Sequence, residues 1–294
     1  MRAARYGAWT LLAAGLLAGM AGDRTTLGVA RYRDELILAA DLHVHSFPGD
    51  GSLAPWDLSR EAERRGLDVI ALTNHNNMIG WRLAAALPWA ADGALIIPGE
   101  ELTAVGHHMA AIGLTETVDW RQSAASAARA IRDRGGAAIA AHPVGREAKA
   151  FDDQAVRELD GYEAAHPLMF GYEEGRSDLR AFERRARALK PSIAAIGSTD
   201  FHFFAPLGFC RTFVFAQERS VDAVISAIRH GRTVACDTEG QTYGPADLSA
   251  IVAQACRASA GSPPRDSSRL DRAGTIGVWI ALVTLVLCRP DEAG

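Results

Sequence analysis

The chain has 294 residues, enough for one large domain or two small ones, and 48% of them are hydrophobic while 22% are charged. This composition is typical of a globular protein, and the formal net charge of -4 gives no strong signal for nucleic acid binding. The four cysteines are widely spaced and form no Cys-x-x-Cys pair, so they predict neither a zinc knuckle nor a disulfide scaffold.

The first 22 residues have the pattern of a secretory signal peptide or an uncleaved membrane anchor. Arg2 and Arg5 precede an apolar run over 7–21, which ends in small residues near Ala21. Because basic residues favour the cytoplasmic side, we expect the middle of the chain to lie outside the cytoplasm.

A second apolar run, over 274–288, lies between Arg272 and Arg289. As a helix it would span roughly 22 Å, short of the ~30 Å hydrocarbon layer unless its ends contribute. Residues 273–289 are therefore predicted as a marginal transmembrane helix, with a buried or surface-lying helix as the alternative. The polar residues 23–35 and 257–272 are expected to form a connector and a linker.

Between these ends, residues 36–256 alternate strand and helix patterns. Apolar runs of strand length cover 35–40, 67–73, 137–141 and 193–196. Helices are predicted over 55–65, over 119–134, before Pro191, and from the cap Ser220 to Gly231. Strands separated by helices predict a mainly parallel sheet, either open or closed into a barrel.

Histidines and acids stand at or just after the ends of these strands. His43 and His45 share a strand face, and the turn at 47–49 can bring Asp50 towards them. Further candidates follow the later strands: His75, Glu100, Glu101, His107, His108, His142, Asp200 and His202. The rim of an α/β barrel carries its active site, and mixed imidazole and carboxylate ligands suit zinc, manganese or iron.

These segments resemble the successive motifs of the PHP (polymerase and histidinol phosphatase) family. The segments are His43-Val44-His45 with Asp50-Gly51, residues 72–76, residues 98–103, Ala141-His142-Pro143, and residues 197–202. The resemblance covers about 41–216. It implies an α/β fold of the distorted, TIM-like (β/α)7 barrel type. It also implies two or three divalent metal ions (Zn, Mn or Fe) and hydrolysis, most often of phosphoesters.

The resemblance also implies the metal ligands. One metal is expected to bind His43, His45, Glu101 and Asp200; Glu101 would bridge to a second metal held by His107 and His142; Asp50, His75 and His202 would hold a third.

Three positions in these motifs require a choice. Glu100 is expected to be an exposed acid or one that supports a ligand. Adjacent strand residues face opposite ways, so only one of His107 and His108 is expected to reach the metals, and the Gly-His order favours His107. Asn74 stands where the family usually has Asp. If that Asp orients the imidazole of His75, Asn74 is expected to accept the same hydrogen bond without adding charge, which would weaken the third site.

The implied chemistry uses a hydroxide that bridges the metals as the nucleophile. His202 or His166 would protonate the leaving alkoxide. Arg146 and Arg211 are candidates for gripping the substrate phosphate, with an ordinary surface arginine as the alternative. Glu163 and His166 follow a predicted strand and either line the pocket or have a structural role.

The sequence thus predicts a metal-dependent phosphoesterase, a phosphomonoesterase or nucleotide phosphatase, acting on a small phosphorylated molecule. It is expected to be exported or attached to a membrane through one or both termini, with the barrel outside the cytoplasm. A PHP-type amide or carbamate hydrolase with the same metals is the first alternative. A non-catalytic metal-holding module is the second, and the complete ligand set argues against it.

Overall fold

The computed structural model describes residues 2–21, 30–86, 93–167, 173–203, 205–260 and 269–288. These residues form two units, one made of the two terminal helices and one made of the chain between them. The helices are α1 (Arg2–Ala21), α2 (Pro55–Arg64), α3 (Ile79–Ala85), α4 (Ala124–Asp133), α5 (Gly145–Ala150), α6 (Asp153–Glu158), α7 (Glu173–Leu189), α8 (Val221–Arg229), α9 (Ala246–Ser259) and α10 (Arg269–Leu287). The strands are β1 (Ala30–Tyr32), β2 (Glu35–Val44), β3 (Val69–Leu72), β4 (Leu95–Ala104), β5 (His107–Ile112), β6 (Ala137–Ala140), β7 (Gly161–Ala165), β8 (Ala194–Gly197), β9 (Arg211–Ala216), β10 (Thr233–Cys236) and β11 (Thr242–Tyr243).

The strands form one mixed sheet in the order β11-β10-β9-β2-β3-β4-β5-β6-β7-β8, and β1 also pairs with β2. Among the strands named above, parallel pairing joins two groups, β2-β3-β4 and β6-β7-β8. The predicted α/β class is confirmed. The expectation of a mainly parallel sheet is wrong, because β5 and β9 to β11 enter the sheet antiparallel.

Two threonine side chains hold β8, the last strand of this order, against β9 and β10. Thr212 Oγ1 of β9 accepts the Gly197 N–H at 2.9 Å and donates to the Gly197 carbonyl at 2.8 Å. Thr233 Oγ1 of β10 donates to the Ala195 carbonyl at 2.9 Å. The sheet is therefore a nearly closed barrel, which confirms the barrel-like fold predicted from the sequence.

Apolar side chains fill the interior of this barrel. Leu38, Ile139 and Ile196 belong to one buried cluster and are at most 1% exposed. Helix α8 packs Val224 and Ile228 into the same cluster. Because these buried side chains fill it, the interior is a packed core rather than a channel. Each such side chain contributes about 1.5–3 kcal/mol to stability on burial. Polar side chains that face inward are consequently confined to the rim of the barrel.

Serine caps fix where two predicted helices begin. Ser220 Oγ accepts the Ala223 N–H, and α8 begins at the next residue, Val221, as predicted. Ser123 Oγ accepts the Ser126 N–H in the same way, so α4 begins at Ala124. The predicted start of that helix at residue 119 is therefore wrong.

A disulfide joins Cys236, at the end of β10, to Cys256 in α9. The sequence predicted no disulfide scaffold, and it gave no indication of this single pair. The two cysteines are 20 residues apart in sequence, and their Cα atoms lie 5.7 Å apart. Spacing along the chain carried no signal for this pair, because the contact forms only when α9 packs against β10.

In the terminal unit, α1 packs closely against α10. A Cβ atom on Gly15 would lie 2.7 Å from the carbonyl oxygen of Gly274, so glycine is needed where the two backbones meet. Among the described residues, neither these helices nor any other combines the length and apolar character required to cross a membrane. The anchor expected within 1–22 and the transmembrane helix expected at 273–289 therefore lack support. Parts of the expected connector and linker, residues 23–29 and 261–268, lie outside the described residues.

Candidate metal centre

A β-bulge in β2 turns two histidines into the barrel. The pairing of β2 with β3 shifts between Asp41 and Val44, so β2 has one extra residue there. Leu42 packs in the interior core, and His43 is also fully buried. His45 shares a face with His43, and their Nε2 atoms lie 3.1 Å apart. The prediction that both imidazoles point the same way is confirmed.

Cluster 1 joins these two histidines to two carboxylates, Glu101 and Asp200. Glu101 Oε2 lies 3.4 Å from the Nε2 atom of each histidine. Asp200 Oδ1 lies 3.2 Å from His43 Nε2 and 3.1 Å from His45 Nε2. The fold thus brings together the four residues predicted to hold the first metal.

Cluster 2 shares Glu101 with cluster 1 and adds His108 and His142. Glu101 Oε1 lies 2.8 Å from His108 Nδ1 and 3.2 Å from His142 Nε2. Since the other oxygen of Glu101 faces cluster 1, this carboxylate stands between the two clusters. That is the position of a bridging ligand.

The prediction that His107 is a metal ligand is wrong, because His108 occupies the site. Strands β4 and β5 form a hairpin in which Thr103 pairs with His108. Paired residues lie on the same face of a sheet, as do residues two apart on a strand, so His108 lies with Thr103 and Glu101. His107 points to the opposite face and packs edge-on against Phe151.

Cluster 3 contains Asp50, His75 and His202 beside His45. Asp50 Oδ2 lies 3.1 Å from the Nε2 atoms of His75 and His202, and Asp50 Oδ1 lies 3.1 Å from His45 Nδ1. A neutral imidazole has one lone pair. His45 directs the lone pair of Nε2 to cluster 1, so its Nδ1 atom carries the proton and donates a hydrogen bond to Asp50 in cluster 3. The remaining residues of cluster 3 are the three predicted to hold the third metal.

The third cluster is the open side of the centre. The side chains of Asp50 and His75 are 44% and 35% exposed, whereas His43 is 1% exposed. Clusters 1 and 2 are therefore reached from solvent past cluster 3, or past the partly exposed His108.

Carboxylates fix the orientation of two ligand histidines. His43 Nδ1 lies 2.8 Å from Glu163 Oε1, and His142 Nδ1 lies 2.8 Å from Glu147 Oε2. A hydrogen bond at one ring nitrogen sets the tautomer and leaves the other nitrogen available to a metal. The sequence analysis did not identify Glu147 as the partner of His142. Its position five residues after His142, across a turn into α5, was the one feature of the sequence that could have indicated this contact.

Two ligands have strained backbones. His142 and Asp200 have φ angles of 28° and 51°, in the left-handed region that side chains with a Cβ atom rarely adopt. Strained residues cluster at functional sites, where the surrounding structure holds them in place. Here each follows the end of a parallel strand, and the strain aims its side chain across the rim.

Burial and opposite charge together determine protonation in the centre. Burial raises the pKa of the Glu101 and Asp200 carboxyls, but the surrounding histidines outweigh it and hold both pKa values well below their usual range. Burial lowers the pKa of His45 and His142, but the carboxylates outweigh it and raise both pKa values to about 10. The carboxylates thus require adjacent positive charge, which protons on the histidines or bound divalent cations supply.

The donor atoms fit divalent metal ions. Glu101 Oε2 and Asp200 Oδ1 are buried and have no hydrogen-bond partner within the described part of the chain. Unsatisfied buried oxygens are costly, and a coordinated cation would satisfy them. Sets of imidazole and carboxylate ligands suit zinc, manganese and iron.

Both histidines predicted to act in catalysis lie at the centre. His202 belongs to the open cluster 3, and its Nδ1 atom lies 2.9 Å from the Asp200 carbonyl oxygen. His166 is 2% exposed and lies behind cluster 1, with Nε2 3.6 Å from Asp200 Oδ2. One is therefore reached from solvent, and the other is enclosed.

The two arginines predicted to bind phosphate have different surroundings. Arg146 is exposed in α5, one residue before Glu147. The Arg211 guanidinium is directed to backbone carbonyls, at 3.1 Å from Gly208 O and 3.3 Å from Arg65 O. The structure therefore gives Arg211 a structural role and leaves Arg146 as the candidate for substrate binding.

Asn74 supports a turn rather than His75. Its Oδ1 atom accepts the Ser46 N–H at 2.8 Å, and its Nδ2 atom donates to the carbonyls of Ser46 and Pro48. The Thr103 hydroxyl bonds to His75 Nδ1 instead. The expectation that Asn74 orients His75 is therefore wrong, although Asn74 does hold the turn that leads to Asp50.

Glu100 faces away from the metal centre. Its side chain is fully buried and Oε1 accepts the Val118 N–H at 2.5 Å. Burial raises the pKa of this carboxyl to about 7. Glu100 is thus neither an exposed acid nor a support for a ligand, which corrects the expectation from the sequence.

The chain is similar to one known protein in sequence and to another in fold. No family model matches the chain. In an alignment of 139 residues, the chain is 28% identical to an uncharacterized protein of Methanocaldococcus jannaschii; the alignment covers 43% of this chain and 80% of that protein. It also resembles the solved structure of a two-domain protein of Bacteroides vulgatus that contains a predicted PHP-like metal-dependent phosphoesterase. The TM-score is 0.58 at 25% identity, covering 77% of this chain and 72% of that one.

The resemblance to the PHP family is thereby confirmed. In this PHP-like chain, eight of the nine residues that the motifs identified as ligands fall into the three clusters. The exception is His107, which is replaced by its neighbour His108. The motifs therefore selected residues that the fold gathers into possible metal clusters, except that the structure places His108 there in place of His107.

Proposed function

We propose that this PHP-like chain is a metal-dependent phosphoesterase that hydrolyses a phosphomonoester or a nucleotide phosphate. One observation carries the proposal: the two oxygens of Glu101 face different clusters, with Oε2 3.4 Å from His43 and Oε1 2.8 Å from His108. In a two-metal hydrolase, a carboxylate in this position can coordinate both ions, one with each oxygen. The likeness to the Bacteroides vulgatus protein supports the same reaction class.

Two or three divalent ions, when bound, would neutralise phosphate charge and lower the pKa of a coordinated water towards neutrality. His43, His45, Glu101 and Asp200 would hold the first ion, and Glu101 would share the second with His108 and His142. Asp50, His75 and His202 would hold the third. All of these side chains are fixed by strands or by short turns after strands, so the chain presents them without reorganisation.

The leaving alkoxide needs a proton, and two histidines are in position to hold one. His202 lies at the open side, where a substrate enters, and serves as a donor whenever cluster 3 carries no ion. His166 is enclosed beside Asp200, 3.6 Å away. Arg146 is exposed one residue before Glu147, the carboxylate that contacts His142 of cluster 2, and its guanidinium fork would bind two oxygens of the phosphate.

Purified full-length protein loaded with manganese or zinc tests the proposal against a panel of phosphomonoesters, phosphodiesters, nucleotides and carbamates. We expect turnover of phosphomonoesters or nucleotides, loss of turnover in Glu101→Gln, and little change in the matched variant His107→Ala. Turnover of carbamates alone would identify the amide-hydrolase alternative and refute the phosphoesterase. No turnover of any member, with bound metal verified, would indicate a non-catalytic module.

We also propose that the barrel works outside the cytoplasm. The signal-like sequence at 1–22 supports this, and so does the Cys236–Cys256 disulfide, because disulfides persist mainly in oxidising compartments. A reporter that is active only after export, fused after residue 35, should give a signal that disappears when residues 2–21 are deleted. The absence of any signal from the fusion that retains residues 1–35 would contradict the proposal.

A further inference from the structure

The Glu163 carboxylate lies at the meeting point of three strands that carry metal ligands. It is fully buried in β7. Its Oε1 atom lies 2.8 Å from His43 Nδ1 and accepts a hydrogen bond from Ser198 Oγ. Its Oε2 atom accepts the His142 backbone N–H at 2.6 Å. These partners belong to the ends of β2, β8 and β6.

Glu163 acts on both of the enclosed clusters. At His43 it accepts a hydrogen bond from Nδ1, which leaves the Nε2 lone pair directed at Glu101 and Asp200 in cluster 1. At His142, a ligand of cluster 2, it holds the backbone N–H of a residue with a φ of 28°. Such a strained backbone persists only when neighbouring groups hold it in place.

Glu163 is not itself in any cluster of the described residues that could hold a metal. Both of its oxygens are occupied by the partners above, and the groups around it in the centre are His43, His142, His166 and Ser198. A carboxylate that accepts hydrogen bonds from a ligand side chain and from a ligand backbone supports both ligands without touching the ion.

We propose that Glu163 is a positioning residue shared by clusters 1 and 2, whose single carboxylate sets the geometry of both metal sites. This inference rests on the metal centre described under the proposed function. It predicts that one substitution, outside the ligand set, weakens metal binding at two clusters and leaves cluster 3 intact.

The test compares Glu163→Gln with Glu100→Gln in the full-length protein. Glu100 is an equally buried glutamate, but it lies on the face of β4 opposite to Glu101 and the metal clusters. Within the described part of the chain, its carboxylate accepts a hydrogen bond from the Val118 N–H. Affinity for zinc is measured by competition with a chelator, and the geometry of the sites by the visible absorption spectrum of the cobalt-loaded protein. Neither measurement requires catalytic activity, so a failed phosphoesterase assay leaves this test unaffected.

In Glu163→Gln the side-chain amide nitrogen cannot accept the hydrogen bonds that the carboxylate accepts. We expect affinity at two sites to fall about 10- to 100-fold, with a changed cobalt spectrum, while the third site and Glu100→Gln retain wild-type values. Glu163→Asp keeps the negative charge but moves the carboxylate away from His43 and His142, so it should give an intermediate loss of metal affinity. This variant replaces Glu163→Gln if the latter does not fold. Wild-type affinity and an unchanged spectrum in the folded Glu163 variants would overturn the proposal.

Discussion

The Nδ1 atom of His108 lies 2.8 Å from Oε1 of Glu101, on the inner face of the β4–β5 hairpin. His107, one residue earlier, faces away from the centre. We expect His108→Ala to lose the metal of cluster 2 and most phosphatase activity. His107→Ala should keep both, at a cost in melting temperature from the lost packing. Metal analysis by mass spectrometry and a phosphatase assay check this; the reverse pattern would mean that the hairpin register is different.

Replacing Glu101 by Gln tests the bridging role directly. The amide removes the negative charge and one acceptor oxygen, so clusters 1 and 2 both lose a ligand. We expect zinc affinity to fall by more than about 100-fold, since the loss of a ligand should exceed the 10- to 100-fold effect of a supporting residue. Glu100→Gln is the matched control. Undiminished metal content in Glu101→Gln would show that another acid bridges.

Metal binding should stabilise the fold. An ion that binds only the folded chain adds about 2.7 kcal/mol per site to the free energy of unfolding at 100 times its Kd. We therefore expect zinc or manganese to raise the melting temperature and excess chelator to lower it. In Glu101→Gln the response should shrink to that of cluster 3. A melting temperature indifferent to metal in the wild type would argue against the centre.

The Cys236–Cys256 disulfide should stabilise the barrel against unfolding. It closes a loop between cysteines 20 residues apart, which corresponds to about 3 kcal/mol in the chain-entropy description. Replacing both cysteines by serine should lower the free energy of unfolding by about this amount in denaturant titrations. A reducing agent should destabilise the wild type and leave the double variant unchanged. Equal sensitivity of the two proteins to reduction would contradict the pairing.

Substitutions of Arg211 and Arg146 should have different effects, the first on stability and the second on substrate binding. Arg211→Ala leaves the carbonyls of Gly208 and Arg65 without their donor, so we expect a loss of about 1–3 kcal/mol in the free energy of unfolding. Arg146→Ala should leave stability unchanged and raise KM by at least about 10-fold, because each charged hydrogen bond lost costs about 1.5 kcal/mol or more. An unchanged KM in Arg146→Ala would remove it from the substrate site.

Much of the metal centre could be predicted from sequence because its ligands follow strands. His43 and His45 are two residues apart on β2, a local relation that alone sets which way both imidazoles point. Asp50, His142 and Asp200 follow their strands within a few residues, so their place on the rim was also predictable. Hairpin pairing could have identified His108 as well: with a two-residue turn at Val105-Gly106, residue 108 lies opposite Thr103, on the Glu101 face.

The sequence by itself determined the kinds of ligand, their order along the chain and the start of α8 after its Ser220 cap, because these depend on neighbouring residues. Only the tertiary structure decided that Arg211 bonds backbone carbonyls and that Cys236 meets Cys256. These outcomes depend on sheet register and on contacts between residues distant in sequence, which local spacing does not fix. The same holds for Glu163, whose role follows from three strand ends that meet only in the closed barrel.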